Sequence, residues 1–96
     1  MAKGYWITLY HSISDPAAFA EYAKRATVVI DANGGRFLVR GAPAKTSEEG
    51  LPERSIVIEF ENIEKAIAAY ESPEYQAARK LLDGKAKRDV RFVQGV

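Results

Sequence analysis

The chain has 96 residues, 47% hydrophobic and 28% charged, with 14 Lys and Arg against 13 Asp and Glu for a net charge of +1. That length makes a single domain, 1–96, whose modest core buries roughly 65% of the unfolded surface, so association would help it. The near-neutral balance speaks against a nucleic-acid partner, the absence of cysteine removes disulfides, thiolate nucleophiles and Cys-ligated zinc, and one histidine is too few for a multi-His metal site within one chain.

The first expected strand is Tyr5 to Ser12, YWITLYHS, β-branched and aromatic. Tyr5, Ile7, Leu9 and His11 share one of its faces, and Trp6, Thr8, Tyr10 and Ser12 the other. The opening MAKGYWITLY lacks a basic region followed by an apolar run of signal-peptide length. No later stretch approaches the ~20 apolar residues of a membrane span. The expectation is a cytoplasmic protein with no membrane partner.

Ser14-Asp15-Pro16 starts a helix, with Asp15 as cap and Pro16 at the first position, where its missing N–H costs nothing. Phe19, Tyr22, Ala23, Ala26 and Ile30 follow at helical spacing, and Gly34-Gly35 stops the helix. A second strand, Arg36 to Arg40, lies within GGRFLVRG. The polar stretch 41–53, broken by Pro43, Gly50 and Pro52, is a loop. Arg54 to Glu61, RSIVIEFE, is the third strand. Asn62 caps a helix through Tyr70 with Ile63, Ala66, Ile67 and Tyr70 as its apolar stripe. Ser72-Pro73-Glu74 starts another helix, which carries Tyr75, Ala78 and Leu82 inward and ends near Asp83-Gly84. Lys85-Ala-Lys87-Arg88 reads as a solvated basic turn, and Asp89 to Gln94 as the last strand.

The order β-α-β-β-α-β, with its second helix broken, is an α+β, ferredoxin-like arrangement with a four-stranded antiparallel-type sheet. Parity sorts the strand residues into two faces. Ile7, Leu9, Phe37, Val39, Ile56, Ile58, Phe60, Val90 and Phe92 form the face expected to carry the helices. Trp6, Thr8, Tyr10, Arg36, Leu38, Arg40, Val57, Glu59, Asp89, Arg91 and Val93 form the other. Large aromatics, aliphatics and opposite charges together suit a protein interface. The sheet is therefore expected to pack this face against that of an identical chain, with Trp6, Tyr10, Arg36, Leu38, Arg40, Val57 and Glu59 at the contact. A hairpin turning through 41–54 places Arg36 opposite Glu59 and Arg40 opposite Ser55; a register two residues later puts Leu38 opposite Glu59, and either leaves Glu59 within reach of an arginine.

GYWI at 4–7, Asp15-Pro16 with Tyr22 in the helix, GGRFLVRG at 34–41, VIEF at 57–60 and SPEYQ at 72–76 resemble, in order, the DUF1330 family of small bacterial proteins. The resemblance spans nearly the whole chain. It implies a ferredoxin-like protomer and a homodimer whose sheets face each other, the dimeric α/β barrel. It implies no activity. The wider barrel superfamily includes cofactor-free monooxygenases, muconolactone isomerase and haem-dependent members, a likeness of fold alone.

Several side chains carry candidate chemistry. Arg36, Arg40 and Glu59 could hold a small carboxylate or phenolate with Glu59 as base; the favoured alternative is an ion-pair network that fixes the dimer register. His11, by parity on the helix side at a strand end, is a candidate general base or, less readily, a haem ligand, against the plainer reading of a partly exposed polar residue. Tyr5, Tyr22, Tyr70 and Tyr75 are expected between helices and sheet, either lining a ligand pocket or as core residues with their hydroxyls satisfied. Trp6 is expected to anchor the interface rather than stack on a ligand. No glycine loop opens a helix, so no phosphate site is indicated. The functional expectation is a homodimer that binds a small organic molecule without a cofactor or metal, with cofactor-free monooxygenase or isomerase activity in view. The competing expectation is a non-catalytic module whose sheet face serves assembly.

Overall fold

The computed structural model describes residues 2–96. Its elements run β1 (Gly4–Ile13), α1 (Pro16–Ala32), β2 (Arg36–Gly41), β3 (Ser55–Phe60), α2 (Ile63–Glu71), α3 (Pro73–Arg79) and β4 (Ala86–Gln94), with a 3-10 turn at Lys80–Leu82. The sheet order is β2-β3-β1-β4, and every neighbouring pair is antiparallel. This is the ferredoxin-like α+β arrangement that the sequence indicates, with the three helices on one side of the sheet.

The helices begin and end for local reasons. Asp15 Oδ1 accepts from the Ala18 N–H at 3.0 Å and Pro16 opens α1. Gly34, at φ 83°, takes the left-handed conformation that lets the chain leave α1 for β2. Asn62 caps α2 by accepting from the Lys65 N–H at 2.9 Å. Ser72 serves two helices: its hydroxyl donates to the Ala69 carbonyl at 2.8 Å and accepts from the Tyr75 N–H at 3.2 Å. Pro73 cannot continue the hydrogen-bond ladder of α2, so the chain turns there into α3.

The core corrects the sequence reading of β1. Trp6, Thr8 and Tyr10, expected on the open face, are 1%, 3% and 3% exposed beneath the helices. Ile7, Leu9, His11 and Tyr5, expected inward, point to the open face. Both parities of this strand are apolar, so alternation alone does not choose between them. Packing chooses. Gly4 shares the parity of Trp6, and a Cβ there would lie 2.4 Å from Ile63 Cα, so only glycine passes under the start of α2. The helices above present small Ala66, Ala69 and Ala78, and the wide space they leave is filled by Trp6 and Tyr75, which share a buried cluster with them.

A second correction comes from β2. Arg36 pairs with Glu59 and Phe37 with Ile58, but then the register slips and Val39 pairs with Val57, Arg40 with Ile56 and Gly41 with Ser55. The bulge inserts Leu38 and reverses parity beyond it. Arg40 therefore turns to the helix side, and Val39, expected in the core, is 46% exposed. β4 also starts three residues earlier than expected, at Ala86, which draws Arg88 out of a solvated turn and into the sheet opposite Tyr10.

Candidate functional site

The helix side of the sheet is filled unevenly. Beneath α2 and α3, Trp6, Tyr70 and Tyr75 pack ring against ring, and an outer cleft of about 240 Å³ opens beside them between Arg79 and Val90. Beneath α1 a cavity of about 50 Å³ remains, with Phe19, Tyr22, Ala23, Ala26, Thr27 and Ile30 of α1 as its roof. Its floor comes from all four strands: Trp6, Thr8 and Tyr10 of β1, Phe37 and Arg40 of β2, Ile56 and Ile58 of β3 with Arg54 just before it, and Arg88 of β4. The helix spacing of α1 and the two-residue spacings of Arg54-Ile56-Ile58 and Arg88-Val90-Phe92 bring these side chains to one place.

Three guanidinium groups reach this space and no carboxylate lines it. None of the three arginines forms an ion pair with a described residue. Arg88 donates through Nη1 to the Tyr22 hydroxyl at 3.0 Å and the Tyr75 hydroxyl at 3.2 Å, and those two oxygens are 2.7 Å apart. It also lies 5.3 and 5.7 Å from the ring centroids of Tyr22 and Tyr10. Arg54 sits 5.4 Å from the Phe19 ring centroid, and its buried Nε finds no hydrogen-bond partner. Arg40 stacks 4.3 Å from the Phe37 centroid and makes only a long contact, 3.5 Å, to Thr27 Oγ1. At the cavity floor the Trp6 indole N–H donates to Thr8 Oγ1 at 3.0 Å.

The network holds its charge in one place. Desolvation opposes the charge on Arg88, but the phenolic oxygens of Tyr22, Tyr75 and Tyr10 outweigh it and the pKa is raised. Burial, with Tyr75 beside it, pushes the Tyr22 phenol far up despite Arg88. Burial raises Tyr10 in the same way. At neutral pH Arg88 is a cation held beside the neutral phenols of Tyr22 and Tyr10.

Of the tyrosines expected to line a pocket, Tyr22 does so and Tyr75 joins it by hydrogen bond. Tyr70 packs against Trp6, Tyr75 and Phe92 with centroids 5.4, 5.1 and 5.3 Å away, outside the cavity. Tyr5 is on the opposite face, where its hydroxyl donates to Glu59 Oε2 at 3.0 Å. Glu59 is aligned with Arg36, as the nearer register predicts, but its recorded partner is this phenol and not the guanidinium. His11 stands away from the cavity, along an outer cleft of about 460 Å³ between the 43–54 loop and Leu9, Asp89 and Arg91. Arg40, Glu59 and His11 are thus not brought together: of these three catalytic candidates only Arg40 reaches the cavity. Arg54, Arg88, Thr8 and Phe19 join the site beyond the residues that the sequence pattern marks for it. For two of them the sequence carries a signal, because Arg54 and Arg88 share the parity of the core residues that follow.

No group of three or more His, Cys, Asp or Glu side chains comes together among the described residues, and none of their helices is long and apolar enough to cross a membrane.

Fold and cavity together define a ferredoxin-like α+β domain with a basic, aromatic-walled cavity under its first helix. The chain belongs to the family described as Domain of unknown function (DUF1330), whose model matches residues 3–96. No curated protein matches it. Among solved structures it is similar to a protein of unknown function from Rhodopseudomonas palustris, with TM-score 0.72, 14% identity, and coverage of 99% of this chain and 83% of that one. A dimeric, ferredoxin-like protein of unknown function from Bacteroides fragilis gives TM-score 0.64 and 13% identity, over 96% and 95% of the two chains. A protein of Nitrosomonas europaea provisionally named an antibiotic biosynthesis monooxygenase gives 0.62 and 16%, over 98% and 90%. At these identities the likeness is one of fold.

Proposed function

We propose that this protein is a homodimer that binds a small organic molecule in the cavity beneath α1 of each protomer. The observation that carries the reading is the cavity itself: it lies between α1 and the sheet and is walled by aromatic rings and hydrogen-bond donors, whereas the cleft beside α3 and β4 is a more open surface feature that includes Arg79 and Asp83. Aromatic walls with a few convergent polar groups are the usual make-up of a ligand site. The described side chains on its walls include no His, Asp or Glu, so the cavity offers positive charge and phenolic protons but no carboxylate or imidazole base. This favours binding over general-base catalysis. A thermal-shift screen of small organic acids and metabolites tests it, because a ligand of the native state alone raises the midpoint. Midpoints that no compound moves would sink it.

The dimer rests on the open face of the sheet. Ile7 stands opposite Val57 of β3, and Val93 of β4 stands opposite Tyr5, two residues along β1, with Leu9, Val39 and Leu38 exposed nearby. The paired charges Arg91–Asp89, at 2.7 Å, and the Tyr5–Glu59 bond lie among these apolar residues, with Arg91 directly opposite Ile7. The Bacteroides fragilis neighbour and one from Thermobifida fusca are both described as dimeric. Light scattering at micromolar concentration should give twice the chain mass, and Val57→Glu should halve it while preserving the circular dichroism of the native chain. A wild-type chain that scatters as a monomer would remove the dimer.

A further inference from the structure

The proton inventory of the cavity says what kind of molecule it takes, an inference that rests on the binding reading above. Thr8 Oγ1 accepts from Trp6, so the Thr8 hydroxyl proton is left over, with no acceptor among the described residues. The Tyr22 and Tyr75 oxygens both accept from Arg88 and lie 2.7 Å apart. Two phenols carry two protons; one lies between the oxygens, and the second has no acceptor among the described residues. The Arg54 Nε–H is buried and unpaired. Three kinds of donor thus converge without acceptors, two guanidinium groups stand beside them, and no carboxylate approaches. Buried donors in native proteins are almost always satisfied. A neutral amide would bring N–H donors to a site that already has too many.

The geometry points to a carboxylate subsite: a small organic acid places its carboxylate in the cavity, accepting from Arg54 Nε, the Thr8 hydroxyl and the Tyr22–Tyr75 pair, with Arg88 balancing its charge. A volume of about 50 Å³ suits the acid group with few other atoms, so acetate is a probe of fitting size. Guanidinium donors favour ionised oxygen over neutral oxygen, because charge-assisted hydrogen bonds are shorter and roughly twice as strong.

The test is an NMR titration of the full chain with sodium acetate and with acetamide at fixed ionic strength. The Trp6 indole N–H, the only tryptophan in the chain, and the arginine Nε–H signals serve as reporters. Acetate should shift the Arg54 Nε–H and Trp6 signals saturably, and acetamide should bind at least tenfold more weakly. Arg54→Gln should weaken acetate about 10- to 100-fold, the range expected for one charge-assisted bond, and Arg54→Lys by less. Arg36→Gln, on the other face, should change nothing. Equal saturation by acetate and acetamide would overturn the carboxylate assignment and leave the binding reading standing. Acetate shifts that survive Arg54→Gln, or that fall on His11 and Arg91 instead, would overturn it as adventitious. Silence of the cavity signals toward both probes would overturn it too, and only silence toward the whole screened library would end the binding reading as well. Because Arg54 lies at the mouth of β3 and not within the buried phenol network, its variants are expected to stay folded, which one spectrum of the free variant checks.

Discussion

Beneath α2 and α3, Trp6 meets Tyr75 at a centroid distance of 4.7 Å, Tyr70 at 5.4 Å, Phe92 at 5.7 Å and Phe60 at 6.4 Å, and buried Ala66, Ala69 and Ala78 join the same cluster from the helices. Beneath α1 the same sheet face carries Thr8, Tyr10, Arg54 and Arg88, and the roof leaves a cavity. The contrast separates two uses of one layer. Rings against alanines remove apolar surface from water and fix the helices at one distance. Arginines against phenols cost desolvation and leave donors unpaired, so this half contributes less to stability and offers more to a ligand. Trp6 and Tyr75 belong to both halves: their rings fill the first, and the Trp6 N–H and the Tyr75 hydroxyl face the second.

The largest effect should come from breaking the packed half. Trp6→Ala removes a side chain 1% exposed and leaves a cavity that alanine-lined helices cannot close. A loss of about 3–5 kcal/mol is expected, a large part of the stability of a chain this short, and urea unfolding reads it directly. A stable Trp6→Ala protein would mean that β1 does not have the orientation described.

A matched pair of smaller changes sharpens the comparison. Ala66→Val on α2 and Ala26→Val on α1 enlarge residues that are 0% and 4% exposed, with the same helix-propensity cost. In the packed half the added methyl groups have nowhere to go, and about 1–3 kcal/mol should be lost. Ala26 lines the cavity, so the same change there should be neutral or stabilising by up to about 1 kcal/mol, and should weaken any ligand that the cavity holds. Equal costs at both positions would erase the distinction between the halves.

These residues also show why the sequence disclosed the fold more fully than the site. Caps, breakers and helix periodicity are local, and Asp15-Pro16, Asn62 and Ser72-Pro73 all stand where they read. The face of a strand is not local when both parities are apolar. Tyr5, Ile7 and Leu9 look as much like a core stripe as Trp6 and Tyr10 do, and only the close pass of Gly4 under Ile63 decides between them. The bulge at Leu38 carries no glycine or proline to announce it, and it alone sends Arg40 to the cavity rather than toward Glu59. The basic neighbours Lys85 and Lys87 make Arg88 look solvated. Its two-residue spacing to Val90 and Phe92 is the better guide, because in an antiparallel pair parity persists as far as the ladder does.

The smallest effect concerns pH, and it distinguishes the halves by their caps. Asn62 and Ser72 cap α2 and α3 with neutral side chains, whereas α1, the cavity roof, is capped by the carboxylate of Asp15. The Ala18 N–H donated to that carboxylate holds its pKa below the usual aspartate value of about 3.8, desolvation opposes this, and Lys85 at 3.7 Å assists. A depressed native pKa means that the ionised cap stabilises the fold above the unfolded value and that this contribution fades as pH falls through the native one. Acidification below about 3.8 should therefore loosen the start of α1 before α2 or α3, seen as earlier loss of hydrogen-exchange protection at the amides following Phe19. Asp15→Asn keeps a capping oxygen that does not titrate. In that variant the protection of α1 should become nearly independent of pH over the same window. If α1 still loosens first in acid, the cap is not the cause, and the weakness lies in the arginine-lined packing beneath the helix.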